Sequence, residues 1–362
     1  MLHTNTNNIW APDYSVHPGE VLEEHLEVRG LNQAAFARLC GITPKHVSEI
    51  INGKNPITSD TALIFEKVLG VSASIWSGIA ADWQLFQAKE KEKRTAQHCA
   101  EWVKIFPSDF LKKLKSVVGT DAVALRNAIL SFFGVGSEAA YKSRWARRCA
   151  AYRHSPTFTS QDAALSVWLR LGEIEAEKLE LPPFSRAKLK AAILEIRPLT
   201  LLPQADYMPR IKSILRECGV AFIITPCIKG APVSGATHKA TNGRYIIQAS
   251  LRHKTNDHFW FTLFHEIGHL MLHGDKIFIE GNSASPSDAN QQYEHQADEF
   301  STKILLNAKP LDVFPQTREN ILAFSRRLGI HPGIVVGMLQ HRRSLAWNKF
   351  SDLKLKMAED SL

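Results

Sequence analysis

The stretch Phe261-Thr-Leu-Phe-His265-Glu266-Ile-Gly-His269-Leu-Met-Leu-His273 constrains this chain more than any other. Two histidines four apart fall on one face of an α-helix, one turn above the other, so both imidazoles reach a single metal ion. Glu266 follows the first of them and points to the side of the metal's open position. There a carboxylate takes the proton of a metal-bound water. Phe261, Leu263, Phe264, Ile267, Leu270 and Leu272 make the flanks apolar, as a helix buried on most sides requires.

Such a site needs a third protein ligand, and three positions offer one. A histidine ten positions after the first would be the metzincin arrangement, but that position is Asp275. His273 continues the line in steps of four, although such steps drift round the helix and Gly274 ends it. The remaining candidate is Glu294 in Tyr293-Glu-His-Gln-Ala-Asp-Glu-Phe300. Glu294 and Asp298 share a helix face. Glu294 can therefore ligate while Asp298 accepts the ring N–H of a metal-binding histidine and fixes its tautomer. HExxH alone arises by chance in many proteins. Followed by ExxxD on a helix, it points to a metal centre, against the alternative of a buried helix with merely hydrogen-bonded histidines.

The run from Phe259 to His269, with Glu294-x-x-Ala297-Asp298-x-Phe300, resembles the ImmA/IrrE family of zinc metallopeptidase domains over roughly residues 200–340. The resemblance implies an α+β zincin-like domain holding Zn2+ through His265, His269 and Glu294. Glu266 would be its catalytic residue, and Asp298 would stand behind the ligands. That family usually carries an ExEANxFA-like segment; here Gln296 replaces the second glutamate and Asp298 the asparagine.

Near the N-terminus the chain reads as short amphipathic helices. Val21, Leu22, Leu26 and Val28 stripe the first, and Gly30-Leu31-Asn32 breaks it. Gln33 to Leu39 is a second helix, Cys40-Gly41-Ile42 a tight turn, and Thr43-Pro44 the N-cap and first-turn proline of a third. Two helices across a short glycine turn make a helix-turn-helix. Val47, Ile50 and Ile51 face inward, leaving Lys45, His46, Ser48 and Glu49 outward beside Thr43, at the end that would enter a major groove. Gln33, Asn52 and Lys54 are placed to touch phosphates. With its His17-Pro18-Gly19-Glu20 opening, the segment resembles the HigA-type antitoxin and phage-repressor-like (XRE) helix-turn-helix family. Acidic balance tempers that reading: residues 1–83 hold five basic side chains against nine acidic ones, although the whole chain is +8. Outward Glu49 would be repelled by phosphate unless it reads a cytosine amino group.

The basic excess lies downstream, notably in Tyr141-Lys-Ser-Arg-Trp-Ala-Arg-Arg148, which reads either as the wet face of a helix or as a contact to phosphates or an acidic partner. Lys89 to Arg94, with mixed charges, suggests a solvated helix between domains. Helices are expected at 110–114, 122–133, 138–152, 162–179 and 184–196, with Phe132, Trp145 and Trp168 as core. The five cysteines are scattered and never CxxC, so they read as reduced thiols. No apolar run reaches membrane-spanning length, and the first ten residues have no signal-peptide pattern, which predicts a cytoplasmic protein.

In the C-terminal part, Met208 to Cys218 reads as a helix, and Val220–Thr225 and Arg244–Ser250 as strands. Ile228 to Gly243 reads as a Gly- and Thr-rich connection ending in a turn. In zinc peptidases of this helical type an extended peptide pairs with a sheet edge beside the metal, which residues near Tyr245 and Ile246 could provide if they lie at an edge, and His238 and His258 are candidates to steady an oxyanion. Residues 324–339 echo 36–51 and predict a second helix-turn-helix-like pair. Gly333, Ile334 and Val336 occupy its outward positions, so it is read as packing or interface. The organisation expected is multidomain: an all-α helix-turn-helix domain over 1–84, a helical linker over 85–200, the α+β metallopeptidase domain over 201–345, and a flexible tail over 346–362.

These readings together describe a DNA-binding transcriptional regulator or antitoxin with a zinc-dependent peptidase-like domain. Its partners would be operator DNA, a cognate toxin and a protein substrate, without a membrane. A homodimer is expected, because one recognition helix reads only a half-site. Three activities remain open at this level: metal-dependent endoproteolysis, a structural or sensory zinc module beside DNA binding, and neutralisation of a toxin by direct binding.

Overall fold

The computed structural model describes residues 15–96, 99–153, 159–274, 278–281, 288–311 and 316–358. The chain divides into two compact units, Met1–Ala100 with Asp121–Arg126, and Glu101–Thr120 with Asn127–Leu362. Among the described residues no single helix is long and apolar enough to cross a membrane.

The first unit is helical: α1 (Pro18–Val28), α2 (Gln33–Cys40), α3 (Pro44–Ile51), α4 (Ser59–Leu69) and α5 (Ala73–Ala96). Its core is Leu22, Leu26, Phe36, Val47, Ile50, Phe65 and Trp76. The opening His-Pro-Gly has a structural cause. His17 caps α1 by accepting the Gly19 N–H on Nδ1 at 3.0 Å, and Pro18 takes the first turn. A Cβ on Gly19 would meet the Ile51 carbonyl oxygen at 2.4 Å, so only glycine lets α1 sit against the end of α3. Gly41 turns between α2 and α3 at φ 66°, and Thr43 caps α3 by accepting the His46 N–H.

In the second part of the chain come α6 (Ala100–Lys104), α7 (Ser108–Val118), α8 (Ala122–Phe133), α9 (Glu138–Arg153), α10 (Ser160–Glu177), α11 (Arg186–Ile196) and α12 (Gln204–Glu217). Residues 127–200, expected as a linker, thus lie in the same unit as the sheet. Among the described residues the sheet has four strands in the order β1 (Val220–Ile224), β3 (Tyr245–Ala249), β2 (Val233–Lys239), β4 (Phe278–Gly281). β1 runs parallel to β3; β2 runs antiparallel to β3 and β4. Against it lies α13 (Asn256–His273); α14 (Asp288–Leu306) and α16 (Pro332–His341) pack on α13, and α15 (Arg318–Leu328) packs on α16.

Four expectations change here. β2 fills the stretch read as a connection. Its small residues Gly235 and Ala236 obscure a strand signal, yet the smallness of Gly235 is what lets α13 lie on it. A Cβ on Gly235 would meet Glu266 Oε1 at 2.5 Å. β3 is interior, so Tyr245 and Ile246 are paired on both sides and offer no free edge. Residues 351–358 do not fray. The Lys354 ammonium pairs with Asp257 at 2.7 Å, Leu355 exchanges backbone and side-chain hydrogen bonds with Asn256, and Met357 is buried. Residues 359–362 of the expected tail lie outside the described ones.

The basic run on α9 is the fourth. Tyr141 and Trp145 are fully buried, and Arg144 and Arg148 turn inward to Glu173 of α10, itself 1 % exposed. Arg170 completes the cluster at 3.1 Å, and Arg148 also donates to the Lys239 carbonyl oxygen at 3.1 Å. Lys142 and Ser143 of the run are exposed, whereas Arg144 and Arg148 are engaged by Glu173.

The second helix-turn-helix-like pair forms as α15 and α16, with Gly329 at φ 67° and Pro332 in the first turn. Every residue from Gly333 to Gln340 is buried, so this pair packs the domain core. Its likeness to α2 and α3 is one of local grammar.

Candidate metal centre and nucleic-acid interface

α13 is buried on almost all sides, against Leu251, Phe222, Ile334 and Leu339 among others. Its closest neighbour is α14, and two small residues set their separation. A Cβ on Gly268 would meet the Phe300 ring at 3.0 Å and the Cα of Ala297 at 3.4 Å. Glycine and alanine at the crossing therefore bring the backbones close enough for a glutamate on α14 to reach histidines on α13. Ser301 fastens the pair by donating to the Phe261 carbonyl oxygen at 3.0 Å.

His265, His269 and Glu294 converge there. The two Nε2 atoms are 3.0 Å apart, and Glu294 lies 3.2 Å from His265 Nε2 and 3.5 Å from His269 Nε2. Ligands about 2.0–2.1 Å from a tetrahedral zinc would stand roughly 3.3 Å from one another, which these edges bracket. The hydrogen-bond pattern fits the same conclusion. His265 Nδ1–H donates to Asp298 Oδ1 at 2.9 Å, which leaves its Nε2 as a lone pair facing the centre. Burial keeps the His269 imidazole neutral by lowering its pKa to about 4. For Glu294 burial works upward, but the flanking His265 and His269 outweigh it and bring the carboxyl down to about 2. Two imidazoles and one carboxylate at these distances are a donor set that could hold a divalent metal ion.

Glu266 is fully buried beside the ligands. Thr237 on β2 donates to its Oε2 at 2.6 Å, and the same hydroxyl lies 3.0 Å from the Glu266 carbonyl oxygen. Sequence reasoning missed Thr237 and Gly235 because β2 was not read as a strand. It also set His273 aside as a ligand. In the structure His273 lies behind His269, Nδ1 to Nδ1 at 3.2 Å.

Of the two oxyanion candidates, His238 is turned away from the ligands. Strand alternation turns His238 to the face opposite Thr237, where it is buried 3.3 Å from Gln248 Oε1. His258 stacks on His253 with ring centroids 4.1 Å apart. It lines a cavity of about 430 Å3, together with Phe261, Thr262, Asp298, Met338 and Arg342.

On the N-terminal unit, Thr43, Lys45, Asn52 and Lys54 are exposed, and Gln33, His46 and Ser48 are half-buried. Asn52 is turned back on its own helix, donating to the Ser48 carbonyl oxygen at 2.7 Å. Glu49 is engaged locally: it accepts from Asn55 Nδ2 at 2.7 Å and lies 3.8 Å from the Lys45 ammonium. These neighbours lessen its repulsion of phosphate. Asn55, overlooked in the sequence, also lies 3.4 Å from His46 Nδ1.

Fold and site define a helix-turn-helix protein joined to a metallopeptidase-like domain. Residues 22–76 match the helix-turn-helix family model, and residues 229–340 match the IrrE N-terminal-like domain. The chain is 32 % identical over 80 residues to Virulence-associated protein I of Dichelobacter nodosus, covering 22 % of this chain and 74 % of that one. It is 29 % identical over 73 residues to the HTH-type transcriptional regulator YddM of Escherichia coli strain K12, covering 20 % of this chain and 78 % of the relative. Through its N-terminal domain the chain belongs to this helix-turn-helix family of regulators, and it carries an IrrE-like domain behind it. Solved structures similar to that first domain include the Pseudomonas aeruginosa antitoxin HigA with its promoter, at 26 % identity over 24 % of this chain and 94 % of that one (TM-score 0.22). An antidote protein of a plasmid maintenance system from Nostoc punctiforme matches at 32 % identity, over 22 % of this chain and 89 % of that one (TM-score 0.22).

Proposed function

We propose that the protein is a DNA-binding regulator of the antitoxin type whose C-terminal domain is a zinc-dependent endopeptidase. The observation carrying the second half is the convergence of His265 Nε2, His269 Nε2 and Glu294 on one point, backed by Asp298. Bound zinc supplies a Lewis acid there, lowering the pKa of water and polarising a carbonyl. His265 and His269 would hold it through their Nε2 atoms and Glu294 through its carboxylate. Glu266, steadied by Thr237, takes a proton from the attacking water and delivers it to the leaving amine.

The test is metal content. Purified protein is expected to hold one zinc per chain, and Glu294→Ala protein to hold none. Zinc absent from both would sink the peptidase reading. The complete burial of Glu266 favours a second reading, in which the metal is structural or sensory; zinc retained without peptide hydrolysis would select it.

For DNA, the exposed Lys54 acts on phosphates while Lys45, His46 and Ser48 face the major groove. Lys54→Ala is expected to weaken binding across sequences and to reduce the salt slope by about 1, whereas His46→Ala relaxes specificity by roughly 1–3 kcal/mol at one base pair. Titration of operator and random duplexes at several salt concentrations separates the two. Equal affinity of wild type and both variants would remove α3 from the interface. A palindromic operator would require two copies of the domain.

A further inference from the structure

We infer that His273, held by Gln296, is a positioning residue for the metal ligand His269, fixing the tautomer that turns its Nε2 lone pair toward the centre. This rests on the zinc reading above and assigns work to two residues outside the ligand set.

The inference follows from which atoms can donate. His273 Nε2 lies 2.8 Å from Gln296 Oε1, and a carboxamide oxygen only accepts. The proton of a neutral His273 therefore sits on Nε2, and its Nδ1 carries a lone pair. That Nδ1 faces His269 Nδ1 at 3.2 Å, so His269 must be the donor. With its proton on Nδ1, His269 has a lone pair on Nε2, the atom 3.0 Å from His265 Nε2. Both ligands are thus oriented alike from behind, His265 by the Asp298 carboxylate and His269 by an imidazole–amide pair.

The geometry also explains why His273 is not a ligand. Eight residues after His265, it has drifted round α13 and meets the far nitrogen of His269 instead of the centre. Tyr293 packs on its ring at a centroid distance of 4.7 Å, and α14 thereby supplies both the lateral contact and, through Gln296, the acceptor.

The experiment measures zinc affinity by chelator competition for wild type, His273→Leu, His273→Asn and Gln296→Leu, with ring-nitrogen NMR of His269. Loss of a ligand-orienting partner weakens metal binding by roughly 10- to 100-fold, which is expected for His273→Leu and, less severely, for Gln296→Leu. His273→Asn is expected to bind near wild type, because its Oδ1 replaces the accepting Nδ1. In wild type the NMR signals should show His269 protonated at Nδ1, and in His273→Leu a tautomer mixture in the metal-free protein. Wild-type affinity in His273→Leu overturns the inference, as does His273→Asn binding as weakly as His273→Leu. Zinc lost in His273→Leu but kept in Glu294→Ala would make His273 a ligand and overturn it as well. Wild-type protein that takes up no zinc defeats the metal reading itself, and this inference falls with it.

Discussion

Glu266→Gln protein is expected to keep one zinc per chain and to lose peptide hydrolysis by roughly 10²- to 10⁴-fold, the usual contribution of a positioned proton carrier. The substitution preserves volume, and the amide oxygen can still accept from Thr237, so the packing of α13 on β2 survives. What disappears is the ability to accept a proton. Gly235→Ala approaches the same group from the other side. Its Cβ would stand 2.5 Å from Glu266 Oε1 and 2.7 Å from Thr262 Cγ2, so the carboxylate must shift. Reduced turnover with zinc intact is expected there too. Peptide turnover and metal content, measured on the same preparations, decide it. Undiminished turnover in Glu266→Gln would leave Glu266 as packing alone.

Glu173→Ala should destabilise the second unit by roughly 3–5 kcal/mol, because it strands buried cations without their counter-ion. Arg144, Arg148 and Arg170 all pair with this one carboxylate. Through them it holds the end of α8, whose Phe132 carbonyl oxygen accepts from Arg170 at 2.9 Å, and the end of β2 at Lys239. Burial raises the Glu173 carboxyl, but Arg148, His238 and Arg144 outweigh it and hold it below its ordinary 4.5. The sign follows. Its stabilisation is present above 4.5 and is lost as pH falls through the lower folded value, so the acid limb of wild-type stability should be missing in the variant. Thermal melts of the two proteins from neutral to acid pH provide the check. Glu177→Ala, which removes a half-exposed partner of Arg170, is the mild control. Equal melting of Glu173→Ala and wild type would mean the arginines find other partners or water.

What the residues declared by themselves were features confined to one helix turn or one cap. The four-residue spacing of His265 and His269, the Glu294–Asp298 pair, and the Gly-x-Thr-Pro turn into α3 all depend on 3.6-residue periodicity and local hydrogen bonding, which neighbouring residues dictate. Most of the helices between 108 and 196 were legible for the same reason.

Tertiary structure decided whatever depended on a partner distant in the chain. β2 is a strand because β3, β4 and α13 surround it, and its Gly235, a poor strand former alone, is there to admit α13. Arg144 and Arg148 look like a solvent face until Glu173 on α10 turns them inward. Glu49 looks like an obstacle to phosphate until Asn55 and Lys45 engage it. His273 reads as a spare ligand until α14 brings Gln296 to its far nitrogen. In each case the side chain's chemistry was visible in the sequence. Its direction was not, because a charge or a lone pair turns toward whichever partner folding brings within hydrogen-bond distance.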